Sequence, residues 1–318
     1  MGRTIAHLFL FGSSFIWGIN FISMKYLTGT IPAFSLLFLR FLIATLFLQC
    51  LLFYKNKKNC TIIAFQKDDY VKMFATCFIG YLLFYGFQVF SFQFLTANIV
   101  ALLCALVPIF SLFAETIVYR KRNHPIVYLL SLASTMGVYL VLDMEWSEVM
   151  ASGTGWGILL MCLSNICWVI FTIMANNMQK KYGTLGSITY QSTVATILMG
   201  LVALSDYQLT ITSLSHHTNI GIVLINLLFI GVFSSGVGYL LYIDGMQRIG
   251  IQLSSLYMNI IPIITAIASF ILFKERLSIT QTLGIAIVIL TLFLINYIHQ
   301  ENQTETPHLE TTLVKSPE

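Results

Sequence analysis

Ser13, Trp17 and Asn20 stand at i, i+4 and i+7 in the apolar stretch GSSFIWGINF. On a helix that spacing lines them up as one stripe. A hydroxyl, an indole and an amide together suit hydrogen bonding and stacking. That is the chemistry of holding a polar solute, not of making or breaking a bond. A second stretch, LSNICWVIF, carries Ser164, Asn165 and Trp168 in the same order, each 151 residues after Ser13, Ser14 and Trp17. Trp17 lies about twelve residues into its run, which at ~1.5 Å per residue places it near the middle of a membrane. Anchoring tryptophans belong at headgroup depth instead. The two tryptophans are therefore either walls of a central cavity or packing against Gly18 and its small neighbours.

Other polar side chains sit inside apolar runs: Gln88, Asn98, Gln191 and Asn259, with Tyr85, Tyr239 and Tyr257 beside them. Amides in lipid need a partner across helices or a wet cavity, so interhelical glue and solute contact both remain open. Four charges also fall in or near the runs: Lys25, Arg40, Glu115 and Asp244. A charge at the bilayer centre costs about 2.5–3.5 kcal/mol on insertion scales, so each needs a reason. Arg40 can snorkel outward, pair with backbone carbonyls, or attract an anionic group of the solute. Glu115 and Asp244 can take up a proton and couple transport to its gradient, or pair with Arg120 and Arg248. Pro108 and Pro262 each remove a backbone donor and crowd the preceding turn, which predicts a kink in each helix.

Sets that would do covalent chemistry are absent. The sequence has no H-E-x-x-H, no G-x-S-x-G and no G-x-x-x-x-G-K-[ST] loop. The six cysteines show no C-x-x-C pair, and His216-His217 lacks nearby carboxylate or cysteine partners. The reading expects no catalytic residue, no metal, no cofactor and no nucleic-acid partner. A small-molecule substrate, the lipid bilayer and a coupling proton are the expected partners.

The elements that must position these residues follow from composition. Hydrophobic residues make up 57% of the 318 and charged residues 9%, against about 25% charged in soluble domains. Several runs exceed the ~18 apolar residues that suggest a membrane span. Ten are predicted, near 5–27, 33–54, 70–92, 95–118, 125–142, 154–177, 186–205, 218–242, 249–273 and 279–298. The first is not a cleaved leader: it is too long, holds Asn20 and Lys25, and no small-residue cleavage site follows. With the N-terminus in the cytoplasm, 13 of the 17 basic residues fall on inner segments. The outer segment 143–153 carries Asp143, Glu145 and Glu148 and no basic residue. That asymmetry predicts both termini inside a cytoplasmic membrane. Residues 299–318 are polar and read as a disordered cytoplasmic tail.

The offset of 151 also pairs Arg40 with Gln191 and Phe78-Ile79-Gly80 with Phe229-Ile230-Gly231. Past the third run the offset becomes 154. It then pairs Ala105 with Asn259, and Val107-Pro108-Ile109 with Ile261-Pro262-Ile263. Five runs per copy is odd, so the second copy crosses in the opposite sense. The expected fold is an all-α membrane protein of ten transmembrane helices, built as two inverted five-helix repeats at 5–142 and 154–298.

On these residues the chain resembles the drug/metabolite transporter superfamily in its ten-helix EamA-type branch. The resemblance is carried by Phe15-Ile16-Trp17-Gly18-x-Asn20-Phe21, Arg40-Phe41, Ala97-x-x-x-Ala101 with Pro108, and Gln252-x-x-Ser255 with Pro262. Phe273-Lys274-Glu275-Arg276-Leu277-Ser278 with Gln281-x-x-Gly284 completes it. Lys121 and Leu130 depart from the second copy's Glu275 and Gly284, and Gly137 faces Thr291 in the reverse sense. Both departures concern packing. The resemblance implies a secondary transporter, not an enzyme, that exports small metabolites such as amino acids or related compounds from a bacterial cytoplasm by alternating access. A channel or a nucleotide-sugar carrier of the same superfamily is the alternative within that class, and an intramembrane enzyme the alternative outside it. A nucleotide sugar would ask for several cavity cations, and only Lys25 and Arg40 are available.

Overall fold

The computed structural model describes residues 2–59, 66–67, 69–95, 97–118, 120, 124–142, 154–215, 219–273 and 278–313. The segments 143–153 and 274–277, with Lys121, Arg122, His216 and His217, lie outside them. Among the described residues the regular structure is helical throughout, with no strand. The helices are α1 (Gly2–Thr28), α2 (Ala33–Asn59) and α3 (Asp69–Ser91), then α4 (Ala97–Cys104), α5 (Val107–Val118) and α6 (Pro125–Leu142). After them come α7 (Thr154–Tyr182), α8 (Thr184–Ala203) and the short α9 (Tyr207–Ser215). The last are α10 (Ile220–Ile249), α11 (251–273) and α12 (Ile279–Leu313).

Among the described residues eight helices are long and apolar enough to cross a membrane, where the sequence predicts ten. The fourth and fifth runs fall short, as the stretches Leu102–Val118 and Pro125–Val141. The fourth breaks at residues 105–106 because Pro108 cannot donate to the carbonyl of Cys104 and its ring crowds that turn. α4 ends at Cys104. Pro262 stands in the same relation to Met258, and there α11 tightens into a 3₁₀ turn over Tyr257–Asn259. Side chains bond the carbonyls just before these: Asn165 Nδ2 donates to Leu103 O at 2.7 Å and Ser14 Oγ to Tyr257 O at 2.8 Å. Both acceptors are related by the 154 offset and both donors by the 151 offset.

Two helices widen to π geometry, α3 over Phe78–Leu83 and α10 over Phe229–Gly238. The two wide turns begin 151 residues apart. Each contains a glycine at a close crossing. A Cβ on Gly80 would lie 2.1 Å from the Phe171 ring, and one on Gly231 would lie 2.6 Å from Ile43. α10 runs to Ile249 where the sequence predicts an end near 242. The last helix continues to Leu313, so 299–313 are helical where polar composition predicts disorder; their Gln and Glu residues are good helix formers.

α1 packs against α10 and α11, and α7 against α3, α4 and α5. α2 packs on α8 and α10, and α8 on α2 and α3. α6 packs along α12. Their contact passes through Gly137 and Gly284, where a Cβ on Gly284 would fall 2.5 Å from Gly137 O. Replacing each helix by the one an offset away leaves these pairings unchanged.

Candidate functional site

α1, α2, α3 and α7 converge with α10 and the broken turns of α4–α5 and α11 around one cavity. Trp17 and Trp168 meet there edge to face, with ring centroids 5.8 Å apart at 85°. Tyr239 completes a triangle of rings, 5.7 Å from Trp17 and 5.8 Å from Trp168. The indole of Trp17 donates to Ser234 O at 3.1 Å, inside the wide turn of α10. A wide turn leaves carbonyls out of the α-helical ladder, and this one is taken by the wall of the cavity.

Arg40 is buried against the same turn. Its Nε donates to Ser235 Oγ at 2.5 Å and its Nη2 to Ser234 Oγ at 3.1 Å and Tyr85 OH at 3.4 Å. The guanidinium also lies over the Tyr85 ring, 4.7 Å from its centroid. Tyr85 OH and Tyr239 OH are 2.9 Å apart. The charge is thus held by hydroxyls and a ring rather than by a carboxylate, and it does not snorkel outward.

Of the residues singled out by sequence, Trp17, Asn20, Arg40, Tyr85, Gln88, Asn165, Trp168 and Tyr239 line the cavity. Four do not. Ser13 donates to Leu10 O in its own helix, Tyr257 OH meets His7 Nδ1 at 2.6 Å, and Asn259 donates to Ser134 Oγ at 2.6 Å. Gln191 is buried away from the cavity, with both amide atoms unpartnered. The side chains of Lys25, Asn98 and Glu115 lie outside the described residues. Asp244 sits off the cavity, paired with Arg248 at 2.8 Å.

Sequence reasoning missed the apolar lining. Cys104 and Met258 face the cavity, and so do Val107 and Ile261. Each pair is related by the 154 offset. Cys104 and Met258 are also the residues four before the two prolines, a signal the sequence contains. The cavity volume is about 60 Å³. That is room for a few waters, below the ~300 Å³ of a typical ligand pocket. Asn20 Oδ1 and Asn165 Oδ1 face it without a donor. Among the described residues no cluster of His, Cys, Asp or Glu is arranged to hold a metal.

The profile of the EamA-like transporter family matches residues 4–143 and 155–297. An uncharacterized transporter of Archaeoglobus fulgidus is 24% identical over 281 residues, covering 88% of this chain and 94% of that protein. The uncharacterized transporter YyaM of Bacillus subtilis is 26% identical over 290 residues, covering 89% and 91%. A protein crystal structure superimposes with a TM-score of 0.75 at 14% identity, over 94% of this chain and 99% of that one, a likeness of fold.

Proposed function

Because the chain belongs to the EamA-like transporter family, we propose that it carries a small metabolite through the cavity around Trp17 and Trp168 by alternating access. The protein is a multi-pass membrane transporter of that family. The proposed cargo is a zwitterionic or moderately apolar compound such as an amino acid or a relative of one. The proposed direction is out of the cytoplasm, across the cytoplasmic membrane, with both termini inside.

The observation that carries this reading is the composition of the cavity. Aromatic rings and amide oxygens surround it, and Arg40 is its one basic side chain among the described residues. Arg40's donors are largely committed to Ser234, Ser235 and Tyr85. A nucleotide sugar, with two phosphates, would demand more cations than that. Acceptors and rings suit a solute that brings hydrogen-bond donors and an apolar body.

Two further observations support a pair of inverted five-helix units. The family profile matches two stretches of nearly equal length, 4–143 and 155–297. The helix pairings and the wide turns also recur at the sequence offset. Such units exchange conformations and expose one site to each side in turn. The test is metabolite profiling of cells with and without the protein, followed by uptake into inverted vesicles. A compound that accumulates inside cells lacking the protein, and enters inverted vesicles that contain it, is the expected result. Equal profiles and no uptake would remove the reading.

A further inference from the structure

The two ends of the helix bundle differ. At one end a recess of about 480 Å³ is formed by the turn between α1 and α2 and by Val89, Phe92 and Gln93. Phe92 lines both the recess and the cavity. The other end lies at the start of α3, 20 residues before Val89, which is about 30 Å along a helix.

There a polar knot ties α3 to the end of α7. Lys181 Nζ lies 2.6 Å from Asp69 Oδ2, and the Tyr182 hydroxyl donates to the same oxygen at 2.5 Å. Lys181 also donates to Gln66 Oε1 at 2.5 Å, and Gln66 N to Tyr182 OH at 3.1 Å. Asp69 is buried in this knot. Near it the end of α10 meets the turn after α7, where the Thr184 hydroxyl donates to Gln247 Oε1 at 3.5 Å, and the last turns of the two helices form a seam with buried polar groups that have no partner: both amide atoms of Gln179, Asn176 Oδ1 and Gln247 Nε2. A buried polar group without a partner is desolvated and uncompensated. Water entering this seam would satisfy all of them.

The sequence offset relates the two ends. Thr28, Thr30 and Ile31 of the recess correspond to Gln179, Lys181 and Tyr182 of the seam and knot, and Ile220 corresponds to Asp69. The open recess and the closed seam are the same region of the fold in its two copies. Where the closed end has a lysine and an aspartate, the open end has a threonine and an isoleucine.

We propose that the Asp69–Lys181–Tyr182 knot is the lock of the second mouth. Releasing it separates the end of α7 from α3, wets the seam at Gln179 and Gln247, and closes the recess at Phe92. The inference rests on the transport reading above, but its test needs no substrate. The native cysteines are replaced, and a single cysteine is introduced as Thr28→Cys or Gln179→Cys. Membranes open on both sides are then labelled with a water-soluble maleimide. With the knot intact, Thr28→Cys labels fast and Gln179→Cys slowly. Adding Asp69→Asn or Lys181→Ala raises labelling at 179 by about tenfold and lowers it at 28, and the charge exchange Asp69→Lys with Lys181→Asp returns both rates toward the starting values. If those single variants fail to accumulate, Tyr182→Phe removes one strand of the knot and shifts both rates in the same directions. Rates unmoved by these changes, or rates that rise together at both positions, overturn the lock. A transport assay on the same variants separates the two claims: exchange of access without any carried solute leaves the lock standing and sinks the proposed cargo role, whereas transport without exchange does the opposite.

Discussion

At the scale of single residues, Arg40 is the clearest case of a side chain whose role depends on its partners. Its hydrogen bonds to oxygen reach Ser234, Ser235 and Tyr85. Hydrogen bonds to a charged group contribute about 1.5–3 kcal/mol each, so Arg40→Ala is expected to destabilise the protein by roughly 3 kcal/mol or more, read as a lower melting temperature in detergent. Arg40→Lys keeps the charge but loses the planar fork, and should fall between the two. Gln88→Ala changes a cavity wall whose side chain makes no hydrogen bond among the described residues, and should alter transport with little change in melting. Equal melting losses for both alanine variants would contradict this division. Proton coupling has its sequence candidates in Glu115 and Asp244. Transport measured against pH in Glu115→Gln and Asp244→Asn tests it, and an unchanged profile in both removes the idea. The sequence located Trp17, Asn165 and Trp168 because polar and aromatic residues repeat at one offset against an apolar background. Ser13, Gln191, Tyr257 and Asn259 lie off the cavity, and the sequence could not separate them because an in-span hydroxyl or amide looks the same whether it faces a solute or a neighbouring helix. Met258 and Ile261 are apolar residues in an apolar run, and only the spacing of Met258 from Pro262 sets it apart.

At the scale of elements, the broken and widened helices decide where the cavity lies. Pro108 and Pro262 interrupt α4–α5 and α11 at equivalent places, and the residues four before them face the cavity. Pro108→Ala restores a donor for the Cys104 carbonyl, so the break should close, seen as slower amide exchange over 104–109. Transport should fall while melting stays level or rises. Faster exchange in that segment would count against the account. The wide turns depend on glycine in the same way. A Cβ at Gly80 meets the Phe171 ring at 2.1 Å, so Gly80→Ala should cost about 1–3 kcal/mol by overpacking. Phe171→Leu in the same chain should recover part of that loss. The prolines made the kinks legible in the sequence. The π turns were not legible, because an inserted residue in a helix leaves the apolar pattern intact and only shifts its phase.

At the scale of the molecule, the pairing of α1 with α10 and α11, and of α7 with α3, α4 and α5, is the pattern a two-fold axis would impose. Hydropathy revealed the apolar runs but not their partners, and the repeat offset supplied the missing constraint. An axis in the membrane plane makes a prediction that packing alone does not. The ends of α2 and α7, near Asn59 and Tyr182, must share one face with Arg3. The turn at Gly29 and the start of α7 at Thr154 must lie on the other. Because Arg3, Lys55, Lys57, Lys180 and Lys181 crowd the first set of ends, the positive-inside tendency predicts that this face is cytoplasmic. Reporter fusions after residues 59 and 182 should be active only inside the cell. Fusions after residue 29, or inserted before 154, should be active only outside. A reporter that placed 59 and 182 on opposite faces would leave the second copy parallel to the first, and a parallel pair could not present one cavity to the two sides by exchanging the roles of its halves.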